Sequence, residues 1–469
     1  MGHGKEKGVG DRLSGCFFAA ALCIWLAGCA SVDTGSLDDA VTKAAPFSRS
    51  GEVSLEERWW QAFEDEQLDR LVETGLSENI SLEAAWNRLE AARAVARRSQ
   101  ADLYPRLDAV ASASRNRPED RTSGDRFSAG LAADYEVDLW GRVRASARAS
   151  DFEAAATRED YRAAALTLSA EITRNWFAWI TAQAQHDLLE DQLTANEQVL
   201  QLIENRFSSG QLRSVDVLRQ RQLVEATREQ VYVSEARIQV LEHLLQTLLG
   251  RAPQEDFSYA EGMLPNLPPL PETGLPSDLL QRRPDLRGAA FALEAASADA
   301  ARAARDRLPR LSLGGELLSE GDEIENVFDD WIRRIAADVI APVFAGGALS
   351  AEAERTRAVT EQRLAEYGQA ALDAFREVED ALARERGQEK RLQSLQEQER
   401  LADRSYEQLR VEYFNGVGNY IDVLTAQTDL QQLRRDLLEG RFQLYEYRIA
   451  LYRALAGGFE TPREEEDES

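Results

Sequence analysis

Cysteine is scarce in this sequence, and its distribution excludes several kinds of chemistry. Only three cysteines occur among 469 residues, and all of them, Cys16, Cys23 and Cys29, lie within the first 29 positions. Residues 30–469 therefore hold neither a disulfide nor a thiolate zinc site, and cysteine catalysis is excluded. We expect stability to come from burial of apolar surface and from oligomerisation.

Histidine is rare, and basic residues are outnumbered by acidic ones. The only histidines are His3, His186 and His243, and no phosphate-binding loop or metal-ligand spacing accompanies them. We interpret His186 and His243 as helix-surface residues and predict a protein that is not an enzyme and needs no metal or other cofactor. With 55 basic against 82 acidic residues, the net charge of -27 argues against nucleic-acid binding. The acidic run 464–469 is expected to be a disordered tail.

Long apolar runs are absent beyond the N-terminus. The run from Cys16 to Ala27 follows three basic residues and is shorter than the roughly 20 residues that span a bilayer, which is typical of a signal peptide. It ends in Leu26-Ala27-Gly28-Cys29, which resembles a bacterial lipobox. That resemblance implies cleavage after residue 28, a covalent lipid on Cys29 and, because Ala30 follows, sorting to the outer membrane. An ordinary signal peptide with a chance cysteine is the alternative.

The prolines divide the chain into two parts. Seven of the thirteen lie between Pro253 and Pro284, which predicts an extended linker there. The flanking parts repeat each other. Pro105 in its Leu-Tyr-Pro-Arg-Leu string matches Pro309 at an offset of 204, and Asp216-Val217-Leu218 matches Asp422-Val423-Leu424 at an offset of 206. The sequence therefore predicts a tandem duplication of about 200 residues.

Each part contains an apolar heptad series. The series have the same spacing and are shifted by 206: Val217, Val224, Val231, Ile238 and Leu245, then Val423, Leu430, Leu437, Leu444 and Leu451. A seven-residue repeat predicts helices that supercoil left-handedly around neighbours. The unbroken segment from Arg142 to Phe207 would be roughly 100 Å long as one helix. Heptads alone fit a filament protein equally well.

Alternation of apolar and polar residues predicts β-strands, which argues against a coiled-coil filament. From Phe127 to Leu139 apolar side chains alternate with polar or small ones, and weaker alternation follows Leu107, Leu311 and Trp331. Each part thus predicts two strands, of the roughly 9–11 residues that cross a membrane. Four strands cannot close a barrel, and an open edge in lipid leaves backbone groups unpaired. The chain must therefore share its strands with copies of itself.

Several residue strings together point to a known family. They are Trp59-Trp60-Gln61-Ala62-Phe63 with Leu68 and Leu71, Tyr104-Pro105, Asp138-Leu139-Trp140-Gly141-Arg142, Gln281-Arg282-Arg283-Pro284-Asp285-Leu286, and the two turns that lead into Asp-Val-Leu. With them the chain resembles the TolC-like outer-membrane efflux proteins, in the lipoprotein branch of OprM-like and nodulation-protein-T-like members. The resemblance covers essentially the whole mature chain.

The resemblance implies a mainly helical protein with membrane β-strands. It would be a homotrimer whose twelve-stranded β-barrel continues into a twelve-helix periplasmic α-barrel, with an equatorial region to which the segment around Trp59 to Asn79 and the linker contribute. The expected divisions are a signal peptide (1–28), an acylated segment (29–58), a first repeat (59–252), the linker (253–284), a second repeat (285–458) and the tail (459–469). The hairpins would lie at about 107–139 and 311–344, and the helix-turn-helix units at about 142–250 and 347–457.

The resemblance also implies a gate at the helical turns, which meet the hairpin tips of a periplasmic adaptor. We expect Ser209, Gly210, Gly416 and Gly418 to form these turns, because glycine accepts positive φ without strain. Turn geometry alone would explain the glycines equally well.

Three residues are expected to line or hold the gate. Asp216 and Asp422 would each become a ring of three carboxylates that attracts cations, unless they only favour helix N-termini. Tyr413 and Asp422 match a tyrosine and an aspartate that help to hold the gate in the family. Gly418 replaces the turn arginine of TolC, so TolC's locking bonds are not expected; Arg206 and Arg410 are candidates for substitutes.

The function implied is passive, gated export of small molecules across the outer membrane. On the resemblance, the partners would be outer-membrane lipid, a periplasmic adaptor and an inner-membrane transporter of the RND class. Two alternatives remain: the outer-membrane component of type I protein secretion, and a structural coiled-coil lipoprotein without a pore.

Overall fold

The computed structural model describes residues 45–116, 124–257, 259, 262 and 264–468. The predicted signal peptide and Cys29 lie outside the described residues. The first half contains a 3₁₀ turn and six longer elements: Trp59–Phe63, α1 (Glu66–Glu78), α2 (Ile80–Ala101), β1 (Arg106–Asn116), β2 (Gly124–Val137), α3 (Arg142–Ser208) and α4 (Ser214–Leu248). The second half contains α5 (Pro276–Arg282), α6 (Pro284–Arg305), β3 (Arg310–Gly321), a 3₁₀ turn (Ile324–Asn326), β4 (Trp331–Ile340), α7 (Ala348–Phe414), α8 (Tyr420–Leu455) and α9 (Pro462–Glu468).

The two halves have matching elements. Helices α3 and α7 each have 67 residues and begin 206 positions apart, at Arg142 and Ala348. Helices α2 and α6 each have 22 residues and begin 204 positions apart, at Ile80 and Pro284. The heptad residues Val217 and Val423 are buried at equivalent places in α4 and α8. The long helices thus follow the apolar repeat of the sequence. Within the described residues, every helix is too short or too polar to cross a lipid bilayer.

The four strands form one antiparallel sheet in the order β1-β2-β3-β4. Leu131 of β2 pairs with Leu317 of β3, and Leu313 of β3 pairs with Ala337 of β4, so apolar residues share one face. This order joins the two hairpins side by side. It leaves β1 and β4 as edge strands with no further partner among the described residues.

The second strand of each hairpin ends earlier than the alternation predicts. Leu139 lies beyond β2 because Asp138 turns the chain: its carboxylate accepts hydrogen bonds from the N–H groups of Val143 and Arg144, at 3.1 and 3.0 Å, and so caps α3. Val343 lies beyond β4 and directly after Pro342, which has no N–H to donate to a strand ladder.

An aromatic core packs against the middle of α3. Trp59 stacks on Tyr452 with 5.7 Å between ring centroids, and the rings of Phe63 and Phe177 lie 5.0 Å apart. Asp65 caps α1 and also accepts a hydrogen bond of 2.7 Å from the indole N–H of Trp176. The N-terminal segment is thereby held against the helices of both halves.

The proline-rich linker is extended and pairs with other parts of the chain. Val53 forms a parallel bridge with Pro271, and the N–H of Gly51 donates to the carbonyl of Pro271 at 3.0 Å. On the other side, Tyr445 and Arg448 of α8 donate to the carbonyls of Pro265 and Pro268. A proline-rich segment forms no regular backbone ladder, so its carbonyls need other hydrogen-bond donors. Side chains of α8 supply them.

The expectation of a disordered acidic tail is wrong for the described part. Residues Pro462–Glu468 form α9, and the Glu464 side chain is almost fully buried. Its carboxylate lies 2.9 Å from Nε of Arg162, and Asp467 lies 2.6 Å from Arg93. Arginines distant in sequence neutralise the acidic run, so the charge that predicts disorder instead docks the segment.

Candidate functional site

The two helical turns have the same backbone at their glycines. Gly210 after α3 and Gly416 after α7 have φ of 74° and 79°. Their N–H groups donate to the carbonyls of Phe207 and Tyr413, at 2.9 and 3.1 Å. Nothing lies within 4 Å of a Cβ added at either glycine, so φ and not space requires glycine there. Ser209 precedes Gly210, and its hydroxyl donates to the carbonyl of Asn205 at 2.9 Å.

Gly418 differs from these two glycines. Its φ lies outside the left-handed region, contrary to the expectation from the sequence. A Cβ at this position would lie 3.1 Å from the backbone nitrogen of Tyr413. The close approach of the two backbones favours glycine here, because a side chain at this position would need the turn to shift by a few tenths of an ångström.

Asp216 is neutralised within its own hairpin. It lies in the first turn of α4 and is 3% exposed. Its two carboxylate oxygens accept hydrogen bonds from Arg213, at 3.3 and 3.4 Å, and Arg219 lies 3.8 Å away. Two arginines and the N-terminus of α4 together neutralise the charge of this carboxylate.

Asp422 occupies the equivalent position in α8 but has another environment. Its side chain is exposed, and within the described residues no cationic group lies at ion-pair distance. The reason is local, because Asn419 and Thr425 stand where Arg213 and Arg219 stand in the first half. Asp422 therefore projects an uncompensated negative charge from the second turn.

Tyr413 lies in an aromatic cluster between the turns. Its ring centroid is 5.6 Å from that of Tyr420 and 5.5 Å from the guanidinium carbon of Arg206, which also lies 4.9 Å from the Phe414 ring. The Tyr413 hydroxyl is buried and, among the described residues, has no hydrogen-bond partner. Arg206 thus touches the gate candidate by cation–π contact. Arg410 instead pairs with Glu407 at 2.8 Å.

A buried polar network next to this cluster escaped the sequence analysis. The Tyr420 hydroxyl donates to Oε1 of Gln220 at 2.5 Å, and Gln220 donates to the carbonyl of Asn196 at 2.8 Å. Oδ1 of Asn196 in turn accepts from Gln427 at 2.7 Å and from Gln431 at 2.9 Å. Burial raises the pKa of the Tyr420 phenol, which keeps it a hydrogen-bond donor.

This network links the first hairpin, α3 and α4, to α8 of the second. One pattern could have revealed it: Gln220, Thr227 and Ser234 are spaced by seven, and all three are buried beside the apolar heptad series. Ser234 is also the hydrogen-bond partner of His186: Nδ1 of the histidine lies 2.8 Å from the serine hydroxyl. A polar heptad alongside an apolar one indicates buried hydrogen bonding between helices.

The comparisons with known proteins identify the family. The model of the outer membrane efflux protein family matches this chain twice, over residues 71–251 and 275–457. The chain belongs to that family. The two matches also reflect the internal duplication. Members of the family are channels of tripartite efflux systems rather than enzymes, and no cofactor belongs to their function.

Individual relatives match over nearly their whole length. The pyoverdine export outer membrane protein OpmQ of Pseudomonas aeruginosa is 30% identical over 460 residues, covering 94% of this chain and 96% of the relative. The solvent efflux pump outer membrane protein SrpC of Pseudomonas putida is 31% identical over 411 residues, covering 85% and 86%. The solved outer-membrane channel OprN superposes with a TM-score of 0.83 at 29% identity, covering 91% of this chain and 96% of that one.

Proposed function

We propose that three copies of this chain form the exit channel of an efflux system in the outer membrane. The observation that carries the proposal is a four-stranded sheet with an exposed apolar face, whose edge strands β1 and β4 have no further partner in the part of the chain that the structure describes. On that face Ile335 is 92% and Val339 68% exposed. An unpaired edge in hydrocarbon costs several kcal/mol for each backbone group, so β4 of one copy would pair with β1 of the next.

Three copies would build both parts of the channel. Three sheets give a twelve-stranded barrel with a lumen, whereas two would give eight strands and a lumen filled by side chains. The four long helices of each chain, α3, α4, α7 and α8, would continue it as a tube of twelve helices. The expected divisions at 59–252, 253–284 and 285–458 would then be two quasi-equivalent repeats and their equatorial connection.

The turns would form the periplasmic gate. Asp422 is exposed and has no ion-pair partner among the residues that the structure describes, so three copies would place three carboxylates at the constriction and favour cations there. Asp216 would contribute less because its arginines neutralise it. Tyr413, beneath the turns, would hold the closed packing through its contacts with Tyr420 and Arg206.

The partners follow from the exposed turns and the N-terminus. The turns at Ser209, Gly210, Gly416 and Gly418 would receive the hairpin tips of a periplasmic adaptor, and 80%-exposed Val417 offers an apolar contact. The adaptor would connect the channel to an inner-membrane transporter of the RND class. A lipid on Cys29 would anchor the N-terminus in the outer membrane.

Small organic molecules are the substrate class that we propose. The relatives are named for the export of pyoverdine and of solvents, and both are small compared with a secreted protein. The chain would be a passive conduit, because the transporter supplies energy and most of the substrate selection.

The proposal can be tested with purified protein in detergent and in planar bilayers. Light scattering should give the mass of three chains, and the bilayers should show discrete cation-preferring conductance steps. A monodisperse single-chain species, or a trimer without current even after Asp422→Ala, would contradict the channel and favour the structural lipoprotein.

A further inference from the structure

The two faces of the four-stranded sheet differ in charge. Every strand pair joins two positions of equal parity, so odd-numbered residues share one face and even-numbered residues the other. The even face carries charged side chains on all four strands, among them Asp108, Asp134, Glu316 and Arg334. The odd face is mostly apolar. In a barrel the even face would therefore line water, and the odd face would meet lipid.

Three charged residues lie on the odd face of the described strands, and two of them neutralise each other. Arg115 of β1 and Asp125 of β2 are opposite each other across the strands, and their side chains lie 2.5 Å apart. The third is Arg333 of β4, which is exposed and pairs in register with Leu317 of β3. Among the residues that the structure describes, Arg333 has neither an ion-pair nor a hydrogen-bond partner. It therefore presents an uncompensated positive charge on the apolar face.

Arg333 lies near the end of the sheet that is remote from the long helices. It is the third residue of β4, which follows the connection 322–330, whereas α7 begins beyond the other end of that strand. Trp331 stands on the same face, two residues or about 7 Å away. Its ring and that of Phe328 are exposed, and their centroids lie 6.3 Å apart. Exposed aromatic rings mark the interfaces of membrane barrels, so Arg333 would stand at the outer edge of the lipid-facing band.

The position of Arg333 favours contact with lipid headgroups. Towards the helices the same face continues with Ile335 and Val339, which are exposed and apolar. A charge on a lipid-facing strand is much less costly near the interface than at the middle of the bilayer, and a long arginine side chain can extend to the headgroups. The planar guanidinium group also matches a phosphate, to which it donates two parallel hydrogen bonds.

The neighbouring strand in a trimer would not neutralise Arg333. In the proposed assembly β4 pairs with β1 of the next copy. The odd face of β1 carries no carboxylate, because its residues are Leu107, Ala109, Ala111, Ala113 and Arg115. Asp329 and Asp330, which precede β4, lie beyond ion-pair distance of Arg333. The anion for this arginine must therefore come from outside these strands.

We propose that Arg333 binds the phosphate of a lipid headgroup in the outer leaflet of the membrane. The partner is a glycolipid with phosphate monoesters, the chemistry of lipid A, which presents its phosphates at the level of the headgroups. Three copies would place three such arginines around the barrel, each next to its own Trp331. The inference rests on the proposed trimer and adds a lipid-specific contact to its outer wall.

Arg334 provides a matched control for this contact. It is the next residue of β4, and its side chain lies on the opposite face, 2.7 Å from Glu316. Replacing either arginine by glutamine removes one positive charge per chain at nearly the same place. Only the replacement of Arg333 removes that charge from the face that would meet lipid.

Native mass spectrometry of the full-length protein tests the proposal. The protein is released from detergent micelles that contain bisphosphorylated lipid A, and the lipids retained on the three-chain species are counted. We expect the unmodified protein and Arg334→Gln to bind this lipid equally. Arg333→Gln should bind it about tenfold more weakly, because a charge-assisted hydrogen bond to phosphate is lost. Arg333→Lys should restore part of the binding, because it keeps the charge and loses the planar fork.

Three results would overturn the lipid contact while the channel stands, provided that the preparation has the mass of three chains and normal conductance. The first is equal binding by the unmodified protein and Arg333→Gln. The second is an equal loss in Arg333→Gln and Arg334→Gln, which would mean that binding follows net charge. The third is displacement of lipid A by an equal concentration of inorganic phosphate, which would indicate a site for the free ion. A single-chain mass would overturn both proposals.

Discussion

Tyr420 at the start of α8 donates a hydrogen bond of 2.5 Å to Gln220 of α4, and both side chains are buried. The bond joins the second helical turn to the first hairpin, across 200 residues of sequence. Gln220 passes the connection to Asn196, whose amide meets Gln427 and Gln431. The turn that carries Asp422 is thus held in place by a network that carries no charge.

Removing the Tyr420 hydroxyl should destabilise the helix packing beside the proposed gate. In Tyr420→Phe the buried Oε1 of Gln220 loses its partner, which costs about 1–3 kcal/mol. We expect a lower midpoint of thermal unfolding in detergent and more frequent openings in planar bilayers. Tyr232→Phe is the control, because Tyr232 lies on α4 with 61% of its surface exposed and should change stability by less than about 0.5 kcal/mol. Equal effects of the two variants would refute the role of the bond.

The two equivalent aspartates should respond differently to neutralisation. Asp422→Asn should lower the preference for cations, read as a shift of the reversal potential in a salt gradient, with little loss of stability because the side chain is exposed. Asp216→Asn should leave the reversal potential unchanged. It should cost about 1 kcal/mol, since the arginine partners are exposed and the helix N-terminus adds a small contribution. The opposite assignment of effects would show that Asp216 lines the pore.

Replacing glycine by alanine should have opposite effects on stability inside α7 and in the turn that follows it. Gly416→Ala forces a Cβ into φ of 79° and should destabilise by about 1–2 kcal/mol. Gly387, inside α7, has no neighbour within 4 Å of an added Cβ, so Gly387→Ala should stabilise by about 0.4–1 kcal/mol. Thermal unfolding of both variants checks the contrast. A stabilising Gly416→Ala would mean that the turn adopts another backbone conformation.

Glu159 should make stability depend on pH. Its side chain is 2% exposed, with Arg287 at 2.8 Å. Burial raises the pKa of this carboxyl above 4.5, against the opposing effect of Arg287, Arg162 and Arg158. A raised folded-state pKa gives a stabilising contribution that is complete below the unfolded value and is lost as pH rises through the folded value.

The measurement that checks this is thermal unfolding of Glu159→Gln at a series of pH values. As pH rises from the ordinary pKa of a glutamate through the raised folded-state value, the unfolding midpoint of the variant should rise relative to that of the unmodified protein. Glu153→Gln, an exposed position on the same helix, should run parallel to the unmodified protein. A parallel course for Glu159→Gln as well would contradict the assignment.

Local patterns in the sequence determined the main elements. Heptads placed α4 and α8, the unbroken run after Arg142 predicted α3, and the turns end helices at Gly210 and Gly416 because only glycine adopts their φ readily. The offsets of 204 and 206 predicted a duplication that the matching helices display. The resemblance to outer-membrane efflux proteins, carried by short strings, is confirmed by the family match.

Contacts between distant segments decided the rest. Asn196 and Gln427 lie 231 positions apart in the sequence, and only the fold brings their side-chain amides within 2.7 Å. The composition of the acidic C-terminus predicts disorder. Ion pairs with Arg93 and Arg162 nevertheless hold α9 in place, although these arginines lie about 300 residues or more away in the sequence. The apolar heptads and the φ angles of the turn glycines depend on residues close together in the chain, so the sequence reveals them. Charge neutralisation and hydrogen bonding depend on partners that only the folded chain brings within about 3 Å.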